Sequence, residues 1–387
     1  MTLMEKYVKM SIERRKKMNY IFIGIILLGI IYILVKFIKG KKEQSFIAIV
    51  FTAGITILNQ ASGNWQDTLV KIIAIIWKRT DTNGLTEEFN LYYFFFGAIL
   101  IIVAIILNLY SRKKVCVLNI NGYFKQKIEP YLKKNKDFRN DFREREINFI
   151  NIYNKFRNKL DTEDCECILE KIEEEVKAFK NETIELKRGY TGIAPIPFIM
   201  YAGTFLEREK IDEYYEFDKM DSKDYYKLEN KKTKRYPKLK LKTKLDELDT
   251  NKSNLVISIA TTKKITDGQL EQFVNECNIV KFEVDSPYDN TIKYKSQLNE
   301  YVNIIFDTIE EISQKLNHTK TINIVCSSQS CLALEIGKRS VDTTRIPQIV
   351  SYQFENQSNI KYPWGIVING KNKGNLIKAE EVKKINV

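Results

Sequence analysis

The 387-residue sequence predicts an α-helical transmembrane anchor followed by an α/β region with room for two lobes. Three observations predict this. An unbroken apolar run, LYYFFFGAILIIVAIILNLY, extends from Leu91 to Tyr110 and is followed at once by SRKK. From Ser253 onward, short β-branched runs alternate with amphipathic helical stretches, the pattern of a doubly wound, mostly parallel sheet. About 275 residues follow the apolar run, more than one ordinary domain uses.

The Leu91–Tyr110 run has the roughly 20 residues that a helix needs to cross a bilayer core. Aromatics crowd its start and Tyr110 ends it, as in an interfacial belt. A second run, YIFIGIILLGIIYILV, spans Tyr20–Val35 between ERRKK and KFIKGKK. A basic stretch before an apolar core also marks a signal peptide, but here lysines follow the core and no small-residue cleavage site does. SFIAIVFTAGITIL, Ser45–Leu58, is short for a span and suits a re-entrant or buried helix. WQDTLVKIIAIIWKR, Trp65–Arg79, puts Trp65, Leu69, Ile72, Ile73 and Ile76 on one helical stripe and Asp67, Lys71, Ala74 and Lys78 on another. Such a helix either lies in the membrane interface or, after oligomerisation, turns the polar stripe of Asp67, Lys71 and Lys78 toward a water-filled lumen. Basic flanks prefer the cytoplasm. ERRKK and SRKK both inside require two or four crossings; three crossings would put ERRKK outside and KFIKGKK inside. The region after Tyr110 is cytoplasmic in each case.

The net charge of +13 suits anionic partners, lipid headgroups or nucleotide phosphates. The joint richness in Lys, Asn and Ile is also what a low-GC genome produces, so charge alone does not choose. Of six cysteines, Cys165 and Cys167 form a C-x-C, and Cys116, Cys277, Cys326 and Cys331 are scattered. Without a C-x-x-C and with His318 as the single histidine, a zinc site and Ser-His-Asp or Cys-His chemistry are disfavoured. The expectation is reduced, mostly buried thiols, no metal, and His318 in a surface turn.

Along the cytoplasmic region, Asn121 to about Phe179 reads as helical. Phe149, Ile150, Ile152, Tyr153 and Phe156 form one stripe, and Ile168, Leu169, Ile172 and Val176 another. Glu182–Leu206 starts like a strand, turns at GYTG, and meets two prolines that forbid a plain helix over Ala194–Pro197. IPFIMYAGTFL then resumes as helix or strand, and YPKLKLKT reads as an exposed strand. Next come strand SNLVISIA, helix DGQLEQFVNECN, strand IVKFEVD, a long helix from Tyr294 to Leu316, strand TINIVCS, helix SQSCLALEIGKRS, and strands PQIVSYQFE and YPWGIVING. Ligands of such sheets sit beyond the carboxyl ends of the strands. Those ends carry Thr261, Thr262 and Lys263 after one strand and Ser327, Ser328 and Gln329 after another. The second place resembles a helix N-terminus open to an anion, or Ser327 or Ser328 is an ordinary N-cap. With no GxGxxG and no Walker glycine-lysine pair, neither is a standard dinucleotide or NTP site.

INIVCSSQSCLALEIGKRS…IPQIVSYQFENQSNIKYPWGIVING resembles the C-terminal half of the SAVED domain, with Ala333, Glu335, Gly337, Pro347, Tyr352 and Phe354 at the family's A-x-E-x-G and P-x-x-x-Y-x-(F/Y) places. GYTGIAPIPFIMYAGTFL resembles the opening of that domain's first lobe in membrane-fused members. The resemblance implies two fused CARF-like, Rossmann-like lobes behind a transmembrane region: 1–112 as anchor, with spans near 20–37 and 91–110 and weaker segments at 45–60 and 65–78, then 113–250 as a helical segment plus lobe 1, and 251–387 as lobe 2. It implies a non-enzymatic CBASS anti-phage receptor–effector in the bacterial inner membrane. Its ligand is a cyclic di- or trinucleotide from a cGAS/DncV-like nucleotidyltransferase, not a DNA or RNA polymer. Ligand drives homo-oligomerisation, and the anchor then disrupts the bilayer and aborts infection. Candidate ligand contacts are Tyr190, Thr191, Lys234, Arg235, Thr261, Thr262, Lys263, Ser327, Ser328 and Gln329. The competing reading is a membrane-bound cyclic-nucleotide phosphodiesterase or ring nuclease, against which the missing metal cluster and nucleophile–base pair count.

Overall fold

The computed structural model describes residues 43–61, 91–111, 115–134, 142–231, 233, 235–341 and 346–379. The chain divides into two units, Met1–Arg112 and Lys113–Val387.

In the first unit, α1 (Glu43–Ala61) and α2 (Leu91–Ser111) run antiparallel. Gly54 and Gly97 let the backbones approach: a Cβ on Gly97 would stand 2.8 Å from Gly54 O. Val50 and Ala104 fill the seam, while Phe51, Ile55, Phe95, Ile99, Ile102 and Ile106 remain exposed. Among the described residues no helix is long and apolar enough to cross a membrane. The expected span at 91–110 is thus a helix in the expected place without an assigned crossing. The run at Tyr20–Val35 and the polar stripe of Asp67, Lys71 and Lys78 lie outside the described residues.

The second unit holds two lobes. In lobe 1, β1 (Val115–Asn121), α3 (Glu129–Lys134), β2 (Phe142–Asn148), α4 (Ile150–Lys159), α5 (Thr162–Glu182), β3 (Lys187–Ile193), α6 (Ile196–Thr204), β4 (Glu213–Phe217) and β5 (Tyr225–Lys227) build a sheet of order β2-β1-β3-β4-β5. Its first four strands are parallel, and β5 is antiparallel to β4. In lobe 2, β6 (Lys240–Leu241), β7 (Asn254–Ala260), α7 (Asp267–Val274), β8 (Cys277–Glu283), α8 (Lys295–Lys315), β9 (Thr321–Ser327), α9 (Ser330–Arg339), β10 (Gln348–Gln353), β11 (Trp364–Val367) and β12 (Leu376–Lys378) give the order β12-β11-β10-β9-β7-β8-β6.

The central part of the second sheet, β8-β7-β9-β10-β11, repeats the first strand for strand, including the antiparallel fifth member. Val115 faces Lys187 as Asn254 faces Thr321. Counting along from these registers, Ile193 answers to Ser327 and Gly203 to Gly337. The helices after the third strands, α6 and α9, cross each other at those two glycines. A Cβ on Gly203 would meet Leu334 O at 2.3 Å, and one on Gly337 would meet Met200 O at 2.0 Å. Met200 and Leu334 are themselves equivalent positions, so the contact is reciprocal across an internal two-fold relation. An aromatic cluster closes the seam beside it. Trp364 of lobe 2 packs at 4.9 Å from Phe156 and 5.5 Å from Phe198 of lobe 1, ring centroid to centroid.

Three expectations are corrected, and one alternative left open is decided as a helix. GYTG is not a turn: Gly189–Gly192 lie inside β3. IPFIMYAGTFL is helical from Ile196, because Pro195 and Pro197 stand where a first turn needs no backbone donor. FREREIN, within the stretch read as helical, is the edge strand β2, with Arg145 paired to Glu175 and Glu182 on the helix above; charge suits an exposed edge. YPKLKLKT contributes only Lys240–Leu241 to the sheet.

Candidate functional site

The carboxyl ends of both sheets meet along one edge of the seam. Glu216, on β4, reaches the start of α9, where its Oε1 accepts hydrogen bonds from Ser330 Oγ (2.9 Å) and Cys331 N–H (2.7 Å). From the other lobe, Gln353 at the end of β10 donates to Tyr123 Oη (3.0 Å), and Glu355 accepts from Arg157 (2.8 Å).

The turns leaving β1 and β7 have one backbone design. Gly122 and Tyr123 both direct their N–H groups at Ile193 O (3.0 and 3.1 Å), and Thr261 and Thr262 both direct theirs at Ser327 O (2.9 and 3.0 Å). In lobe 2, Thr262 Oγ1 and Ser327 Oγ lie 3.0 Å apart, and Lys263 N–H donates to Ser327 Oγ (3.1 Å). Lys263 and Lys264 are exposed, and Ser328 is half-buried. In lobe 1 the same turn presents Tyr123 and Phe124, 39% and 40% exposed. The Tyr123 ring meets Tyr153 edge-on at 5.7 Å, and Phe124 meets Phe217 at 6.0 Å. Burial of the hydroxyl end raises the Tyr123 pKa to about 12. The adjoining turn after β4 is held by Asp218, which accepts from the N–H groups of Met220, Asp221 and Ser222. Those donors, Ser222 first, hold its carboxyl well below the usual range.

The structure therefore brings Thr262, Lys263, Ser327 and Ser328 together on an accessible surface. Thr261 and Gln329 adjoin them but are buried. Gln329 is spent on the fold: its Nε2 donates to Tyr226 Oη (2.6 Å) and Ile292 O (3.0 Å). Tyr190 and Thr191 are fully buried in β3 between β1 and β4, so no ligand on the strand-end surface touches them. Arg235 is exposed on the linker to β6 with its N–H on Thr233 Oγ1, and no described contact joins it to the strand-end turns. Lys234 lies outside the described residues. The N-terminus of α9, expected to be open to an anion, already holds the Glu216 carboxylate. The sequence reading missed Glu216, Tyr123 and Phe124. VCVLNIN directly follows the lysines flanking the apolar run, with no turn residue between the two to set it off as a strand, so the sequence marks no strand leading to these aromatics.

Among the described residues no group of His, Cys, Asp and Glu could hold a metal ion. A cavity of about 340 Å³ opens at the other end of the lobe 2 sheet, lined by the strand starts Asn254, Cys277, Thr321 and Gln348 together with Phe273 and Tyr352. It does not reach the strand-end turns.

The sensor domain described as "SMODS-associated and fused to various effectors", SAVED, matches residues 169–368. This chain belongs to the SAVED family. The matched stretch runs from α5 to just past β11. β1 and β2 lie ahead of the matched stretch. No curated protein matches the chain. Among solved structures, the SAVED/CARF-domain receptor Cap4 of Acinetobacter baumannii, with the cyclic trinucleotide 2'3'3'-cAAA, is 11% identical with a TM-score of 0.45, covering 71% of this chain and 56% of that one. Its complex with 3'3'3'-cAAA gives 12%, 0.43, 69% and 54%. A further structure of that receptor gives 10%, 0.42, 70% and 53%. This chain spans about half the length of these structures.

The SAVED seam makes a pH-dependent prediction. Burial raises the Glu216 pKa, opposed by the hydrogen bonds from Cys331 and Ser330. The neighbouring Tyr190 and Cys331 are also raised by burial and stay neutral in this range. A carboxyl whose folded pKa is raised contributes stability that is full below its unfolded value and lost as pH rises through the folded one. The parent is therefore expected to lose stability relative to Glu216→Gln as pH rises from 4.5. Thermal midpoints of the two proteins across pH give the measurement. A difference independent of pH contradicts a buried titrating carboxyl.

Proposed function

We propose that this chain is a membrane-associated receptor–effector of antiviral defence, whose SAVED domain binds a cyclic di- or trinucleotide at the strand-end edge and whose N-terminal region then damages the bilayer. The observation that carries the reading is a two-lobed sensor fold whose strand ends present clustered hydroxyls, exposed lysines and exposed aromatics. Hydroxyls and lysines suit phosphates, and aromatics suit bases. Membrane association is supported by the apolar run at Leu91–Tyr110 with its basic flank and by the exposed apolar faces of α1 and α2. The glycine-mediated approach of those helices is the packing that lipid-embedded helices use. Ligand-driven self-association is the step that would align the stripes of Asp67, Lys71 and Lys78 from several copies, because a ligand shifts an equilibrium only through its differential affinity for the two states.

The full chain in liposomes is expected to release trapped dye only when its cyclic nucleotide is present, and replacing Asp67 and Lys71 by Leu is expected to reduce release. Equal leakage without nucleotide contradicts the receptor–effector reading. Stoichiometric hydrolysis of the nucleotide favours the enzyme reading instead. At the binding step, Lys263→Ala is expected to weaken affinity about tenfold or more, the effect of losing one charge-assisted contact worth roughly 1.5–3 kcal/mol. An unchanged affinity removes Lys263 from the site.

A further inference from the structure

The two lobes carry the same turn at equivalent places with different side chains, and this difference is informative. In lobe 1 the turn after β1 offers Tyr123 and Phe124; in lobe 2 the equivalent turn after β7 offers Thr262 and Lys263. Both pairs leave one backbone frame, two consecutive N–H groups on the carbonyl that ends the neighbouring third strand, so they project from matching positions of the duplicated fold.

The helix starts beside these turns differ as well, and neither is free to take a phosphate. α6 begins with Pro195 and Pro197, which carry no N–H. The start of α9 is filled by the buried Glu216 carboxyl group, which already takes the Ser330 hydroxyl and the Cys331 N–H. A phosphate arriving at the strand-end edge is left with the turn after β7, where Thr262 Oγ1 and Ser327 Oγ stand 3.0 Å apart beside the exposed Lys263. The turn after β1 suits another chemistry. The Tyr123 hydroxyl is tied down by Gln353 of the opposite lobe and its ring is braced by Tyr153, yet more than a third of the residue faces solvent. Phe124 is equally exposed and is braced by Phe217, with Lys219 Nζ 6.0 Å from its ring centre. Exposed aromatic rings held rigid by their neighbours are platforms for stacking a nucleobase.

We infer that the two halves of the strand-end edge divide recognition, with Tyr123 and Phe124 stacking a nucleobase and Thr262 and Lys263 holding a phosphate. The inference deepens the proposed function and rests on it. The duplicated site then binds its nucleotide in one orientation, although the fold around it is two-fold related.

The test titrates the full chain, by calorimetry at low and high salt, with a panel of cyclic di- and trinucleotides that includes 3'3'3'-cAAA. For the tightest binder of the panel, Phe124→Leu and Tyr123→Leu, which keep apolar bulk and remove the aromatic face, are each expected to weaken binding about tenfold or more at both salt concentrations. Phe124→Tyr is expected to restore it. Lys263→Gln is expected to weaken binding about tenfold at low salt, with the gap closing as salt rises, because screening already weakens the parent's contact. Where the parent binds, a loss in the Leu variants that shrinks with salt as the Lys263→Gln loss does, or an affinity within twofold of the parent in both Leu variants, overturns the division and leaves the receptor reading standing. No binding of any panel member by the parent overturns the receptor reading and the division with it.

Discussion

Gly337→Ala is expected to destabilise the chain by about 3 kcal/mol or more, a fall in thermal midpoint of about 6 °C or more for a domain of this size. The added Cβ would stand 2.0 Å from Met200 O and 2.8 Å from Met200 Cα. These are backbone atoms of α6, not the end of a flexible side chain, so relief requires the helices to separate and reopens the seam between the lobes. Gly203→Ala, the reciprocal change, is expected to act in the same sense, since its Cβ would meet Leu334 O at 2.3 Å. Gly268→Ala in α7 provides the control. A Cβ there meets nothing within 4 Å, and alanine in place of glycine in a helix is expected to stabilise by about 0.5 kcal/mol. Unfolding of the three variants followed by circular dichroism makes the comparison. Equal midpoints for Gly337→Ala and Gly268→Ala would show that α6 and α9 do not cross this closely.

Trp364→Ala is expected to cost about 3–5 kcal/mol. The side chain is fully buried and fills the space between Phe156 and Phe198 of the opposite lobe, so truncation leaves a cavity in the seam. Trp364→Phe separates size from polarity. Trp364 Nε1 is buried with no hydrogen-bond partner among the described residues; removing it leaves no acceptor unsatisfied, and the smaller ring is expected to cost less than about 1.5 kcal/mol. The two variants, measured as unfolding midpoints in the same buffer, should differ by more than half of the alanine effect. A Phe variant as unstable as the Ala variant would mean that the indole N–H has a partner.

Lobe 2 was legible because its strands are short apolar runs separated by amphipathic helices of sufficient length. SNLVISIA, TINIVCS and the long helix after Tyr294 became β7, β9 and α8, and the small-residue pattern through Ala333, Glu335 and Gly337 marked α9. Lobe 1 was less so. β1 follows directly on the lysines that flank the apolar run, and β2 is an edge strand whose alternating Arg and Glu match the spacing of a charged helix as well as that of a strand. Local periodicity does not separate these cases; pairing to β1 does.

By itself, the sequence determined the family, the α/β class of the region after the apolar run, and the candidate turns at Thr261–Lys263 and Ser327–Gln329, because these depend on residue types at short spacings. The tertiary structure decided which of those residues are within reach. Tyr190, Thr191 and Gln329 are withdrawn into strands and hydrogen bonds. Glu216, distant in sequence, occupies the helix end that looked open to an anion, and Tyr123 and Phe124 emerge exposed at the turn after β1. The cross-lobe contacts of Glu216, Gln329 and Tyr123 follow from how the two copies of one fold pack through Gly203 and Gly337, a relation between residues far apart in the chain that no local pattern records.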